Sequence, residues 1–487
     1  MHGGRMPTTH PPARPGHAVP AVDGGGAPPA GSARGSRPAS GWLAGGHRSA
    51  ASRAVRLGLV LGGVAVLGMW WFDTAAGDVA GAGEVLTAMG DVSGLLAAYL
   101  VLVQLLLMAR VPALERAVGF DRLAAWHRTF GTNVVLLVVG HVLLTVWGLG
   151  LVEHHQPLSE LVSVVMTYPD MWKATIGTVG LVAVGVASGR TARARMSYEA
   201  WYLLHLTAYL AVALAFFHQI ATGPDFVGRP LNRALWIAFY VVVAACLVVW
   251  RLGWPLLGFA RHRMVVERVV PEAPGVVSVE IGGRDLDRLG VAAGQFLLWR
   301  FLTPGHWLTA HAYSVSAPPS PHRLRITVKD AGDHSGALAR LRPGIPVLAE
   351  GPFGHFTADQ VTTPGALLVG AGSGIGPVRA LAEELVRRGV DVTVIYRANR
   401  VEALALAGEL NALAEAGRLT FHRVVGSRRE LGYDPLEPRF LAAAVPDVAR
   451  RVVFVCGPPG LVTSLSHALR QLGVPAVRIH HEEFSLR

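Results

Sequence analysis

The sequence predicts a multi-domain membrane protein: a six-helix transmembrane bundle, then a small β-barrel, then a parallel-sheet α/β domain. Three observations carry this. Apolar residues crowd between positions 55 and 260, in six runs each near the length that crosses a bilayer. From residue 263 to about 356 the chain alternates apolar and polar residues in short runs broken by turns. After residue 363, strand-like and helix-like runs alternate.

Composition bounds the possibilities. Of 487 residues, 51% are hydrophobic and 16% charged, and the mean hydropathy of +0.40 is high for a soluble enzyme. The only cysteines are Cys246 and Cys456, which excludes a disulfide framework, a cysteine-ligated iron–sulfur cluster and a cysteine zinc site. The net charge is +11, and arginines cluster in the N-terminal tail and at the ends of apolar runs. Membrane topology accounts for them, and with no nucleic-acid motif present, nucleic acid is not an expected partner. Residues 1–54, rich in Gly, Pro, Ala, Arg and His, are expected to form a disordered tail, too polar to begin a signal peptide.

The expected spans are 55–72, 92–109, 130–152, 172–188, 201–221 and 234–250. Arg110, Arg116, Arg122 and Arg128 crowd the second connection, Arg190, Arg193 and Arg195 the fourth, and Arg251, Arg261 and Arg263 the exit. The first connection carries Asp73, Asp78, Glu84 and Asp91 and no Lys or Arg. The positive-inside rule then predicts a multi-pass protein of the plasma membrane, with the N-terminus and the C-terminal half in the cytoplasm. The expected domains are the tail 1–54, a transmembrane haem domain 55–260, a flavin barrel 261–360 and a nucleotide domain 361–487.

Four histidines lie within or at the edge of these runs: His127 and His141 on the third, His205 and His218 on the fifth. A single imidazole in lipid is explained by a bond to a carbonyl of a neighbouring helix. Two matched pairs ask for more. Both spans run in the same direction, so His127 and His205 share one depth and His141 and His218 another. Spacings of fourteen and thirteen residues rise about 21 and 20 Å in a helix. Facing neutral imidazoles are the axial ligands of a low-spin haem, and two b-type haems are the natural reading. One detail resists: thirteen residues leave His205 and His218 about 140° apart around an ideal helix. The paired histidines resemble the ferric reductase and NADPH oxidase transmembrane domain, a family with two haems and the same two spacings.

In the C-terminal half, HAYSVS (311–316) sets an aromatic beside hydroxyls, as a flavin needs for stacking and for bonding its ring edge. By itself it is also an ordinary strand. It resembles the flavin motif of the ferredoxin–NADP reductase superfamily, which implies FAD contacts for Tyr313, Ser314 and Ser316, with His311 where the motif has His or Arg. GDHS (Gly332 to Ser335) resembles that superfamily's pyrophosphate turn, and GPFG (Gly351 to Gly354) its glycine-rich close of the barrel. Gly370, Gly372, Gly374, Gly376 and Pro377 form a turn between strand and helix, where amides and a helix N-terminus can hold a pyrophosphate. Cys456, Gly457 and Pro458 are similar to the nicotinamide-side motif, whose thiol approaches the hydride-transfer site; a buried structural cysteine is the plainer reading. Arg397 and Arg400 follow the second strand with no acidic residue beside them, which favours NADPH over NADH. Phe484 is the candidate aromatic cover for the flavin.

The two resemblances together imply an enzyme, an NAD(P)H-dependent flavocytochrome. Electrons would pass from cytoplasmic NADPH through FAD and two haems to a ferric chelate, dioxygen or a periplasmic protein. A haem-binding or sensory module without turnover is the alternative. His154 and His155, after the third span, are candidate contacts for an iron complex, and Lys173 for a haem propionate or an anion.

Overall fold

The computed structural model describes residues 41–73, 79, 81–304 and 306–483. Six long helices come first: α1 (Gly41–Asp73), α2 (Ala82–Met108), α3 (Phe120–Val152), α4 (Met171–Ser188), α5 (Tyr198–Thr222) and α6 (Pro230–Cys246). A π-helical stretch, Leu247–Gly253, carries α6 on into α7 (Trp254–His262). Among the described residues six helical segments are long and apolar enough to cross a membrane, and the chain is a multi-pass membrane protein. Leu136 and Leu143 of α3 are 66% and 60% exposed, an outward apolar face suited to lipid rather than water.

Several helices outrun their apolar cores. α1 begins at Gly41, inside the stretch expected to be disordered, because the Ala- and Leu-containing run 41–54 continues the helical path of the span. The remainder of that tail, 1–40, lies outside the described residues. α2 and α3 each start ten residues before their apolar runs, at Ala82 rather than 92 and Phe120 rather than 130. Hydropathy marks the lipid-buried part of a helix, not its polar ends.

The bundle is built from two close pairs. Along α2 and α3 the backbones nearly touch: a Cβ placed on Gly83 would lie 2.9 Å from the Gly148 carbonyl oxygen. Between α4 and α5, a Cβ on Gly177 would lie 2.7 Å from the Ala211 carbonyl oxygen. Small residues permit this approach, and dispersion between helices replaces the hydrophobic drive that lipid cannot provide. In contrast, α3 and α5 make at most a marginal backbone approach to each other.

Six strands follow: β1 (Val265–Ala273), β2 (Val276–Gly282), β3 (Phe296–Phe301), β4 (His311–Ser314), β5 (Arg323–Lys329) and β6 (Val347–Phe353). They make two antiparallel sheets, ordered β1-β2-β5 and β4-β3-β6. Trp299, Leu297, Ile281, Ile326 and Val315 fill the space between them.

The last five strands are β7 (Gly365–Ala371), β8 (Asp391–Ala398), β9 (Thr420–Val425), β10 (Val452–Gly457) and β11 (Ile479–Glu483). They form one parallel sheet ordered β11-β10-β7-β8-β9. Every residue of β7 and β10 is buried, as expected for central strands covered by helices on both faces. The chain order reverses between β7 and β10, and such a switch point opens the crevice where α/β sheets bind ligands. Helices α8 (Ile375–Arg387) and α9 (Pro459–Gln471) begin beside that crevice.

Candidate functional site

The four histidines meet in two pairs between α3 and α5. Ring centres are 5.9 Å apart for His127 and His205, and 6.5 Å for His141 and His218. An imidazole–metal bond of about 2 Å on each side, plus about 1.1 Å from each nitrogen to its ring centre, requires roughly 6 Å. Both pairs therefore have the separation that one axially ligated iron demands. Among the described residues no group of three or more His, Cys, Asp or Glu could hold a metal ion, so a pair supplies two ligands only. A haem, whose porphyrin brings the other four, fits that donor set.

The surroundings orient the rings. His141 Nδ1 lies 2.8 Å from the Gly90 carbonyl oxygen, so this nitrogen donates and Nε2 keeps its lone pair for a metal. A Cβ on Gly94 would lie 2.7 Å from His141 Nδ1, so only glycine leaves room for the ring there. His205 Nδ1 lies 3.3 Å from Ser188 Oγ, which also accepts from the Trp201 indole at 3.3 Å. His127 approaches the backbone of Gln104 and His218 that of Ala215.

α5 is an unbroken α-helix from Tyr198 to Thr222, so no local distortion explains the thirteen-residue interval. Residues about 140° apart can straddle the line facing α3, each about 70° to one side of it. Such a straddle keeps α5 away from α3, in keeping with the slight backbone approach of the two helices.

On β4 the expected flavin residues separate into different roles. Tyr313 is partly buried and stacks on His311 at 6.3 Å and 21°. Burial pushes its phenol up to about 12, so it remains protonated. Ser314 Oγ is buried and without a partner among the described residues, a hydroxyl available to a ligand. Ser316 Oγ is already engaged, accepting from Thr327 Oγ1 at 2.8 Å and Arg325 Nε at 3.2 Å. His311 is pushed down to about 4, first by burial and then by His334 beside it, and is neutral near pH 7. Ser335 closes its own turn, accepting from the Ala331 amide at 2.8 Å and donating to the Gly332 carbonyl at 3.0 Å. Gly354, leaving the turn after Gly351, lies against Phe296 of β3 and Glu482 of β11.

The glycine turn and the cysteine meet at the switch point. Gly370 is in register with Cys456 across β7 and β10. Gly372 has φ +56, a left-handed conformation, while Gly374 packs on the Cys456 backbone so closely that any side chain would collide with it. Gly376 and Pro377 are buried in the first turn of α8, with Gly376 facing Ser316. Gly457 packs on Ala371, and Pro458 caps α9. Cys456 is fully buried, and this pushes its thiol well up, with Glu482 adding to the effect.

The two arginines differ. Arg397 Nη1 donates to the carbonyls of Ala398 (2.5 Å) and Val424 (3.2 Å), tying β8 to β9, whereas Arg400 is exposed. Outside the nucleotide turn, Lys173 bonds Asp170 at 2.5 Å and lies over the Phe217 ring, and His155 bonds Glu160 at 2.8 Å. Phe484 lies outside the described residues.

Three charged junctions were not legible in the sequence, because their members are far apart along the chain. Arg110, beyond the end of α2, pairs with buried Glu350 of β6, which Arg300 also meets at 3.1 Å. Glu199, at the start of α5, pairs with His334 at 2.6 Å, and His334 lies 2.9 Å from His306. Glu409 binds Arg325 of β5 at 2.7 Å and Arg379 of α8 at 2.5 Å. The first two fasten the barrel to the bundle, the third to the α/β domain.

Known proteins resemble the two halves separately. Residues 93–216 match the family described as ferric reductase like transmembrane component. The ferredoxin reductase component of 3-ketosteroid-9-alpha-monooxygenase from Mycolicibacterium smegmatis is 33% identical over 41% of this chain and 57% of its own length. Ferredoxin–NADP reductase B from Sorangium cellulosum is 28% identical over 46% of this chain and 96% of its own. The chain is thus similar to a ferric reductase-like transmembrane component over residues 93–216 and to ferredoxin reductase proteins over its C-terminal half.

Among solved structures, the flavohem-like FAD/NAD binding domain of nitric oxide dioxygenase from Vibrio cholerae aligns with 46% of this chain and 99% of its own. Its TM-score is 0.39, at 24% identity. The chain spans 57% and 64% of the length of two 3-ketosteroid-9-alpha-monooxygenase reductase components, from M. smegmatis and Rhodococcus rhodochrous.

Proposed function

We propose that this chain carries electrons from cytoplasmic NADPH across the plasma membrane to an acceptor on the far side, with FAD and two b-type haems as its carriers. One observation carries the proposal. Two facing imidazole pairs, at the spacing of axial ligands, stand in the same chain as a nucleotide turn packed on a buried cysteine. When bound, FAD accepts hydride and the haems carry single electrons over a distance of about 30 Å of hydrocarbon.

The residues divide the work. Gly370, Gly372, Gly374 and Gly376 leave room for a pyrophosphate at the N-terminus of α8. Cys456 stays a neutral thiol beside the nicotinamide position, and Arg400 is free to meet a 2′-phosphate. Tyr313 offers a ring for stacking and Ser314 an open hydroxyl for the flavin edge. His127 with His205 would hold the inner haem, and His141 with His218 the outer. The arginine-rich connections support a cytoplasmic barrel and α/β domain.

Ferric chelates, dioxygen and a periplasmic protein are the acceptor classes the reading admits. Lys173 is paired with Asp170, so it is not a free cation at the outer surface, whereas His155, held through Nδ1 by Glu160, keeps Nε2 for a ligand. NADPH consumption by the chain in sealed vesicles of known orientation, with superoxide monitored, decides between ferric citrate and dioxygen. NADPH oxidation that responds to neither would rule out both small acceptors.

A further inference from the structure

A cavity of about 730 Å³ lies between the bundle and the barrel, bounded by the short helix Pro112–Val118, by α7 and by the turn after β6. Tyr313, Ser314 and Ser335 do not line it, whereas the whole GPFG turn, Gly351 to Gly354, borders it. Its chemistry is two-sided. Trp250, Trp254 and Leu257 form an apolar wall, with Trp254 and Leu257 64% and 66% exposed. Arg116, Arg261 and Arg288 reach it from three separate elements. Among the described residues Arg116 and Arg261 have no ion pair or hydrogen bond, and Arg288 has only a 4.0 Å approach to Asp285.

The acids nearby do not cancel this charge. Glu350 is already met by Arg110 and Arg300. Burial pushes Glu115 up to about 7, against the pull of Arg110, so it is only partly ionised near neutral pH. A guanidinium surplus beside an indole and leucine wall matches an anionic phosphate joined to an apolar body.

Depth selects the source of that phosphate. The helical run Pro230–His262 has 33 residues, about 50 Å at 1.5 Å per residue against about 30 Å of hydrocarbon. Its last turns, with Trp250, Trp254 and Arg261, therefore emerge at the headgroup layer, where indoles and arginines settle.

We propose that this cavity binds the headgroup of an anionic phospholipid of the cytoplasmic leaflet, bracing the barrel against the bundle. The leaflet assignment rests on the orientation given under the proposed function; the binding chemistry does not. Each arginine near an anionic headgroup layer contributes enough that losing three weakens retention on the order of a hundredfold.

The test uses the full chain in nanodiscs of phosphatidylcholine, alone or with phosphatidylglycerol, reading lipid retained by mass spectrometry and the thermal unfolding midpoint. Phosphatidylglycerol is expected to be retained and to raise the midpoint. The triple variant Arg116→Gln, Arg261→Gln, Arg288→Gln should lose both effects. A control with equal charge loss at residues that do not line the cavity, Arg122→Gln, Arg190→Gln, Arg195→Gln, should keep them. Equal retention by the triple variant and wild type overturns the proposal. So does inorganic phosphate reproducing the midpoint shift, which makes the cavity a site for free anions. Neither readout depends on electron transfer, so a chain that fails to reduce any acceptor leaves this result standing.

Discussion

The glycine turn at the switch point offers a graded test, because three glycines there are required for three different physical reasons. In Gly374→Ala the new Cβ would lie 2.2 Å from the Cys456 carbonyl oxygen and 3.0 Å from the Gly457 amide nitrogen. Both are backbone atoms of a central strand. Restoring an ordinary 3.4 Å contact moves the turn or β10 by 1.2 Å (3.4 minus 2.2). A displacement near 1 Å at a reacting centre costs on the order of 100-fold in rate. Gly372→Ala meets no atom within 4 Å but must hold φ +56, a cost of about 1–2 kcal/mol, or about tenfold in nucleotide affinity. Gly376→Ala places its Cβ 3.5 Å from Ser316, an ordinary contact within a helix, and should change little. The assay is steady-state NADPH-dependent reduction of a soluble dye that takes electrons from the flavin, with circular dichroism confirming the fold. The expected order of damage is 374, then 372, then 376. A Gly374→Ala protein with kcat and KM within about twofold of wild type, or a Gly376→Ala protein equally impaired, would refute the steric reasoning.

Other consequences follow from the charged and buried groups. Glu350→Gln leaves Arg110 and Arg300 around a neutral amide, and breaking such a buried pair costs about 3–5 kcal/mol. The thermal midpoint should fall, and adding Arg110→Met should restore part of it. Arg400→Gln should raise the KM for NADPH about tenfold and leave NADH unchanged. Arg397→Gln should instead lower stability, because its guanidinium ties β8 to β9; the reverse pattern would contradict the assignment. The Cys456 thiol is held well above its ordinary value of 9.0. A raised folded value gives stability that is full below pH 9 and lost as pH rises toward the folded value. The difference in thermal midpoint between wild type and Cys456→Ala should therefore be constant below pH 9 and shrink above it.

The membrane half was legible to an unusual depth because its signals are one-dimensional. Run lengths predict the spans, and the fourteen- and thirteen-residue spacings place four histidines at two depths. The strands announced themselves by alternation, and the switch point by GAGSGIGP and CGPP. What the sequence could not convey was which hydroxyl or guanidinium is already spent. Ser314 and Ser316 are two residues apart, yet one is open and the other holds Arg325 and Thr327. Arg397 and Arg400 looked alike until β9 came alongside to occupy the first. Glu199, Glu350 and Glu409 drew no notice because their partners are brought to them only by the fold. The thirteen-residue interval resolves in space: α5 stays regular and can straddle its partner helix.

The central claim is that nucleotide, flavin and histidine pairs form one electron path. Anaerobic addition of NADPH to the purified full chain, followed by absorption spectroscopy, tests it most directly. The flavin should bleach first and reduced b-type haem bands should then rise. In His141→Ala one of two haems per chain should be absent while the flavin still bleaches. A chain that purifies without haem, or whose haem stays oxidised after the flavin has bleached, would contradict the account.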